Sequence, residues 1–128
     1  RVLHVLDHSL PLHSGYTFRT ASILREQRAL GWQTLQLTTP RQGPSDEDIE
    51  EADGWQFHRT QLKRGSRAAG SGGIGYLREM AATSRRIDEL VSQFRPDIIH
   101  ANSPVLNVLP ALRVGRRHGI PVVYEVRA

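Results

Sequence analysis

Asp7, His8, His13, Ser14 and Gly15 share one short polar loop. The loop runs from an apolar strand, Val2-Leu3-His4-Val5-Leu6, into a helical pattern that starts near Thr17. An apolar run, a loop and a helix form the first half of a βαβ unit, and sheets built from such units bind ligands beyond the C-terminal ends of their strands. Gly15 can take a φ that residues with a Cβ avoid, and it lets a ligand approach the free N–H groups of a helix start. That arrangement suits an anion, above all a phosphate. The simpler reading is that Gly15 eases the turn and both histidines are solvated. His4, His8 and His13 do not share one helix face and supply no preorganised shell, so neither a metal nor any other cofactor is expected.

Two more strand ends carry chemistry. Asp97-Ile98-Ile99-His100 is a short run, apolar on both faces as buried parallel strands are, and Ala101, Asn102 and Ser103 follow it. His100 then lies on the same rim as Asp7 to Gly15, and Asn102 and Ser103 bring hydrogen-bonding groups to the next helix start. The alternative is a structural histidine donating to a backbone carbonyl. Glu125-Val126-Arg127 ends the last apolar run. Spacing by two puts Glu125 and Arg127 on one sheet face, where they either serve a site or form a salt bridge that fixes a terminus.

Periodicity supplies the elements that must position these groups. A helix spans about Phe18 to Leu30, with Gly31 in the place of a C-terminal left-handed residue. A strand follows at Gln33 to Thr38, with Thr34, Gln36 and Thr38 on one face and Leu35 and Leu37 on the other; this alternation predicts a partly exposed strand near a sheet edge. Thr39 to Gly54 reads as an acidic loop and Trp55 to Arg59 as a third strand. Leu77, Met80, Ala81, Ser84, Ile87, Val91 and Phe94 repeat at helical spacing in a long core-packing helix from about Ile74 to Phe94. Ser103-Pro104 reads as an N-cap and first helical residue, Gly119 closes that helix, and Pro121 to Val126 gives a final central strand. The order β-α-β-β-α-β-α-β predicts an α/β fold, a doubly wound, mostly parallel sheet between two helical layers.

At 128 residues the chain is long enough for one domain with a core of its own. It has no cysteine, which excludes a disulfide scaffold and cysteine-based zinc or redox sites. No apolar run approaches a bilayer span and no signal peptide is visible, so a cytoplasmic domain is expected. The formal charge of +4 rests almost wholly on arginine, the residue of bidentate phosphate and carboxylate contacts. Gln61 to Gly73, rich in Gly, Ser and Arg, is expected to be mobile. Gly70-Ser71-Gly72-Gly73-Ile74-Gly75 has the G-x-G-x-x-G spacing, but it follows no strand and reads as a flexible lead-in to the helix. Both ends look cut, since Arg1 opens directly on a strand and no helix follows the last one; residues 1–128 are thus expected to be the N-terminal domain of a longer protein.

Taken together, Ser14-Gly15-Tyr16, Gly31, Arg95-Pro96-Asp97-Ile98-Ile99-His100 and Pro121-Val122-Val123-Tyr124-Glu125-Val126-Arg127 resemble the N-terminal domain of family 4 glycosyltransferases. These are retaining enzymes of the GT-B architecture, and the resemblance is strongest to the bacterial branch associated with exopolysaccharide assembly. It implies two Rossmann-like domains facing a cleft, with a nucleotide-sugar donor held mainly by a C-terminal domain outside these residues. This half would shape the site for a glycan or lipid-linked acceptor and bring a glycine loop near the donor diphosphate.

By the same resemblance Gly15 matches that loop, with Ser14 where the family often has a second glycine. His100 matches the histidine after Pro-Asp, and Arg127 stands where many members have a histidine; an arginine there would carry charge to phosphate or acceptor rather than act as a base. The expected substrate-binding set is Ser14, Gly15, Tyr16, His100, Asn102, Ser103, Glu125 and Arg127, and no catalytic residue is assigned. A peripheral contact at the inner membrane face stays open, and no nucleic-acid partner is expected. A receiver domain would need an aspartate where His58-Arg59-Thr60 stands. A basic, non-catalytic module for a membrane surface or nucleic acid fits the charge but not the polar strand ends.

Overall fold

The computed structural model describes residues 1–62 and 73–127. Most of the expected mobile segment and the first half of the G-x-G-x-x-G run, residues 70–72, lie outside them. Among the described residues six strands and three α-helices follow one another: β1 (Val2–Leu6), α1 (Gly15–Ala29), β2 (Thr34–Thr38), β3 (Ile49–Ala52), β4 (Trp55–Arg59), α2 (Gly73–Phe94), β5 (Ile98–Asn102), α3 (Val105–His118) and β6 (Val122–Glu125). The sheet order is β3-β4-β2-β1-β5-β6, parallel throughout except where β3 runs antiparallel to β4. The predicted doubly wound α/β architecture is the observed one. From β1 the chain steps outward to β2, and after α2 it returns to the other side of β1 as β5. The order therefore reverses between β1 and β5, the place where sheets of this kind form a ligand crevice at the strand C-termini.

Strand alternation sorts the side chains into two unlike faces. Leu3 and Val5 of β1, Leu37 of β2, and Ile99 and Ala101 of β5 meet Ile87, Leu90 and Val91 of α2 and Val108, Ala111 and Val114 of α3 in one apolar core. Gly115 lets α3 press on the sheet, because a Cβ there would lie 2.7 Å from the Ile120 carbonyl oxygen and 2.8 Å from Val122 Cγ2. The opposite face, under α1, is polar. His4, Thr34, Gln36 and Thr38 are all buried there. His4 Nε2 donates to Gln27 Oε1 at 2.8 Å and Arg28 Nε to Thr34 Oγ1 at 3.1 Å, so this layer is joined by hydrogen bonds as well as by Leu6, Leu10 and Phe57.

That polar layer overturns one expectation. β2 is interior, between β4 and β1, and its threonines and glutamine face α1 instead of solvent. α1 likewise buries Thr17, Thr20 and Leu24 and exposes Phe18. In α2 the covered residues are Gly75, Glu79, Ala82, Thr83, Ile87, Leu90 and Val91, while Leu77 and Ala81 of the predicted stripe face outward. β6 lies at the edge of the described sheet rather than at its centre. β3, read as loop, pairs with β4 through the two-residue turn Asp53-Gly54, both residues at positive φ (52° and 78°). Asp-Gly is the hairpin signal that the acidic run around it obscured.

Candidate functional site

The crevice between β1 and β5 is spanned by one hydroxyl. Tyr16 Oη accepts from the Asp7 backbone N–H at 3.0 Å, just past β1, and donates to the Ser103 carbonyl at 3.2 Å, just past β5. Burial pushes this phenol up to about 12, although the Asp7 bond and the Arg127 charge oppose the shift, so it stays a neutral bridge. Ser14 caps α1: its Oγ accepts from Thr17 N at 3.2 Å, and Thr17 Oγ1 accepts from Ser14 N at 3.0 Å. Among the described residues the Gly15 and Tyr16 N–H groups have no partner, as the first turn of a helix leaves them. Gly15 itself is not in the left-handed region, contrary to expectation; what it provides is room, since a Cβ there would meet nothing within 4 Å.

The β6 end closes the other side. Arg127, with 5% of its side chain exposed, donates to the Tyr16 carbonyl at 3.0 Å, to Thr20 Oγ1 at 2.6 Å and to the Glu125 carboxylate. Its guanidinium also lies 4.5 Å from the Tyr16 ring centroid. Ser103 Oγ accepts from Arg127 N at 2.9 Å and donates to Arg127 O at 3.2 Å. Ser103 is therefore not the cap of α3: Pro104 holds that position and has no side-chain group to cap with, while the Ser103 hydroxyl is used by Arg127. Arg127 and Ser103 thus tie β6, β5 and the first turn of α1 together.

Glu125 gathers three cations or potential cations: Arg127, Arg19 Nε at 3.4 Å and His100 Nε2 at 3.3 Å. Burial pushes its carboxyl up, but the Arg127 hydrogen bond and charge, with His100 and Arg19, outweigh this and hold it below the usual range. His100 is shifted down, first by burial and also by Arg127, against the pull of Glu125. Its ring lies 5.0 Å from that of His4, tilted at 37°, and burial drives His4 down to about 4 against its Gln27 bond. Both imidazoles are neutral at neutral pH. Asn102 is fully buried next in line, and neither amide atom has a hydrogen-bond partner, an uncommon state for a buried polar group.

Of the eight expected residues, Ser14, Gly15, Tyr16, Asn102, Ser103, Glu125 and Arg127 lie at the rim, and contacts link most of them; His100, expected to end its strand, is instead the middle residue of β5, in register with His4, because the strand runs on to Asn102. Sequence reading missed Thr20, which receives Arg127, and Arg59. Arg59 is 2% exposed and donates to Ser9 Oγ at 2.7 Å, Thr38 Oγ1 at 3.1 Å, the Leu10 carbonyl at 2.9 Å and Glu50, so it anchors the loop that presents Ser14. Nothing in the local pattern of a strand end singles out such an arginine. Among the described residues no group of three or more His, Asp or Glu is placed to hold a metal ion.

The fold is a doubly wound domain with the first amides of α1 unpaired, among the described residues, at its switch point. Residues 14–128 match the model of the glycosyl transferase 4-like domain, and the chain belongs to that family. It is similar to the sulfoquinovosyl transferase SQD2 of Arabidopsis thaliana, 30% identical over 115 residues, an alignment covering 86% of this chain. The chain spans only 19% of that relative's length.

Proposed function

We propose that this chain is the acceptor-side half of a glycosyltransferase that moves a hexosyl group, with retention, from a nucleotide-sugar donor to a glycan or lipid-linked acceptor. The observation that carries the reading is the open space over Gly15 beside the unpaired Gly15 and Tyr16 amides, at the switch point of a family member's sheet. As the donor bond breaks, charge grows on the leaving nucleoside diphosphate. A helix start contributes about 0.3–1 kcal/mol to such charge when exposed and more where water is excluded. Increments of that size call for a second, donor-holding domain across the cleft, as in a GT-B enzyme. The plant relative is named for transfer of a sugar.

In this reading Tyr16, Ser103 and Arg127 hold the crevice in shape, and the exposed part of the His100 side chain is open to the ligand. The enzyme works in exopolysaccharide assembly on the cytoplasmic side of the inner membrane, with peripheral membrane contact through its lipid-linked acceptor, and needs no cofactor and no nucleic acid. The test is transfer from labelled UDP- and GDP-hexoses by the full-length protein. Gly15→Val, which fills the open space, should lower transfer at least tenfold with the fold intact. Undiminished transfer by that variant would remove the reading. Salt-dependent binding to anionic vesicles or DNA that survives Gly15→Val, with no transfer, would favour a basic binding module instead.

A further inference from the structure

The loop before α1 contains an arrangement that sugar transfer does not require. His8 Nδ1 lies 3.0 Å from Asp7 Oδ2, and His8 Nε2 lies 3.1 Å from Ser14 Oγ. A carboxylate orients an imidazole, and the imidazole's other nitrogen faces a serine hydroxyl. We propose that Ser14 is an activated nucleophile that takes an acyl group from activated esters, with His8 as its base and Asp7 as the residue that orients His8.

Each link has a physical reason. Asp7 is held on its other oxygen by Arg41 Nε at 3.1 Å, so Oδ2 is left for His8. A carboxylate facing Nδ1 keeps the proton there and leaves the Nε2 lone pair to receive the Ser14 proton. The imidazole is fixed from the side by Tyr16, its ring centroid 4.5 Å away at an interplanar angle of 26°. Ser14 Oγ uses a lone pair, not its proton, in capping Thr17 N, so the O–H stays available to His8. An N-cap serine needs only that Thr17 bond, and the His8 and Asp7 contacts add nothing to capping. The partnerless Gly15 and Tyr16 amides lie directly after Ser14 in the chain, placed to receive negative charge on an acyl oxygen.

In the acyl-transfer step Ser14 Oγ bonds to the carbonyl carbon as its proton passes to Nε2. The bond from that carbon to the leaving oxygen then breaks, and the leaving oxygen takes the proton from His8. Water, deprotonated by His8, then bonds to the acyl carbon; the bond from that carbon to Ser14 Oγ breaks, Oγ takes the proton back from His8, and the acid leaves, losing its proton to solvent as a carboxylate.

The test is labelling of the full-length protein with a fluorophosphonate probe, the modified residue being located by mass spectrometry. Ser14→Ala would also remove a helix cap, so the deciding variants are His8→Gln and Asp7→Asn, which leave the Thr17 bond in place; far-UV circular dichroism checks the helix. Expected is modification at Ser14, slowed by about 100-fold or more in both variants. No modification of Ser14 in the wild-type protein, or an equal rate in His8→Gln, overturns the proposal. Neither readout requires a sugar donor or acceptor, so the result stands apart from the glycosyltransferase reading.

Discussion

Replacing Arg127 by alanine removes the clamp between the β6 end and the first turn of α1. The lost contacts are bonds to the Tyr16 carbonyl and Thr20 Oγ1, the Glu125 pair and the stack on Tyr16. Hydrogen bonds to a charged group contribute about 1.5–3 kcal/mol each, and breaking a buried ion pair costs about 3–5 kcal/mol. These terms overlap, and Glu125 keeps Arg19 and 20% of its side-chain surface in water, so the net cost is near the lower figures, about 3 kcal/mol. With an unfolding entropy of about 2.1 cal/mol/K per residue, a chain of this length loses roughly 11 °C of Tm. Thermal unfolding followed by circular dichroism measures it. Arg127→Lys should recover less than half of the loss, because one ammonium cannot serve the carbonyl, the hydroxyl and the carboxylate together. A Tm for Arg127→Ala within about 2 °C of wild type would refute the clamp, since it corresponds to well under 1 kcal/mol.

Further outcomes follow from the same geometry. His4, 1% exposed, is held near 4 against an ordinary 6.5, so the unfolded chain binds the proton more readily and stability falls as pH drops from about 6.5 through 4. The shift corresponds to on the order of 3 kcal/mol, visible as a falling denaturation midpoint in urea that flattens when His4 is replaced by glutamine. Gly115→Ala should cost about 1–3 kcal/mol by the same measurement, because the Ile120 carbonyl that its Cβ would strike belongs to the backbone. Arg59→Leu leaves Ser9 Oγ and Glu50 without their shared donor; amide hydrogen exchange should then speed up at Leu12, whose N–H bonds the Ser9 carbonyl at 3.1 Å.

The fold was legible wherever a pattern had one physical cause. Gly31 and Gly119 sit after α1 and α3 at positive φ (86° and 68°), as a left-handed helix end requires, and the apolar stripes of β1 and β5 are the ones buried under α2 and α3. It was misread where polar residues are buried. Thr34, Gln36 and Thr38 look like a solvent face because alternation reports polarity, and polarity stands for exposure only when nothing polar covers the strand. Here α1 brings Gln27 and Arg28 to the polar face. For the candidate site, strand ends were visible from sequence, so the rim and its members could be named. Their connections could not. That Ser103 turns to Arg127 instead of capping α3, and that Arg59 reaches from β4 to the Ser14 loop, depends on residues 24 and 49–50 positions apart in sequence.

The account stands on a diphosphate binding at the start of α1, and titration of the ¹⁵N-labelled protein with UDP or GDP tests this directly. The amide resonances of Gly15 and Tyr16 should move most, with Asp7 and Ser103 following through the Tyr16 bridge. Saturable shifts centred instead on the groove lined by Gln61, Arg85 and Arg86, or on Trp32 and Asp97 at the opposite ends of the strands, would contradict it.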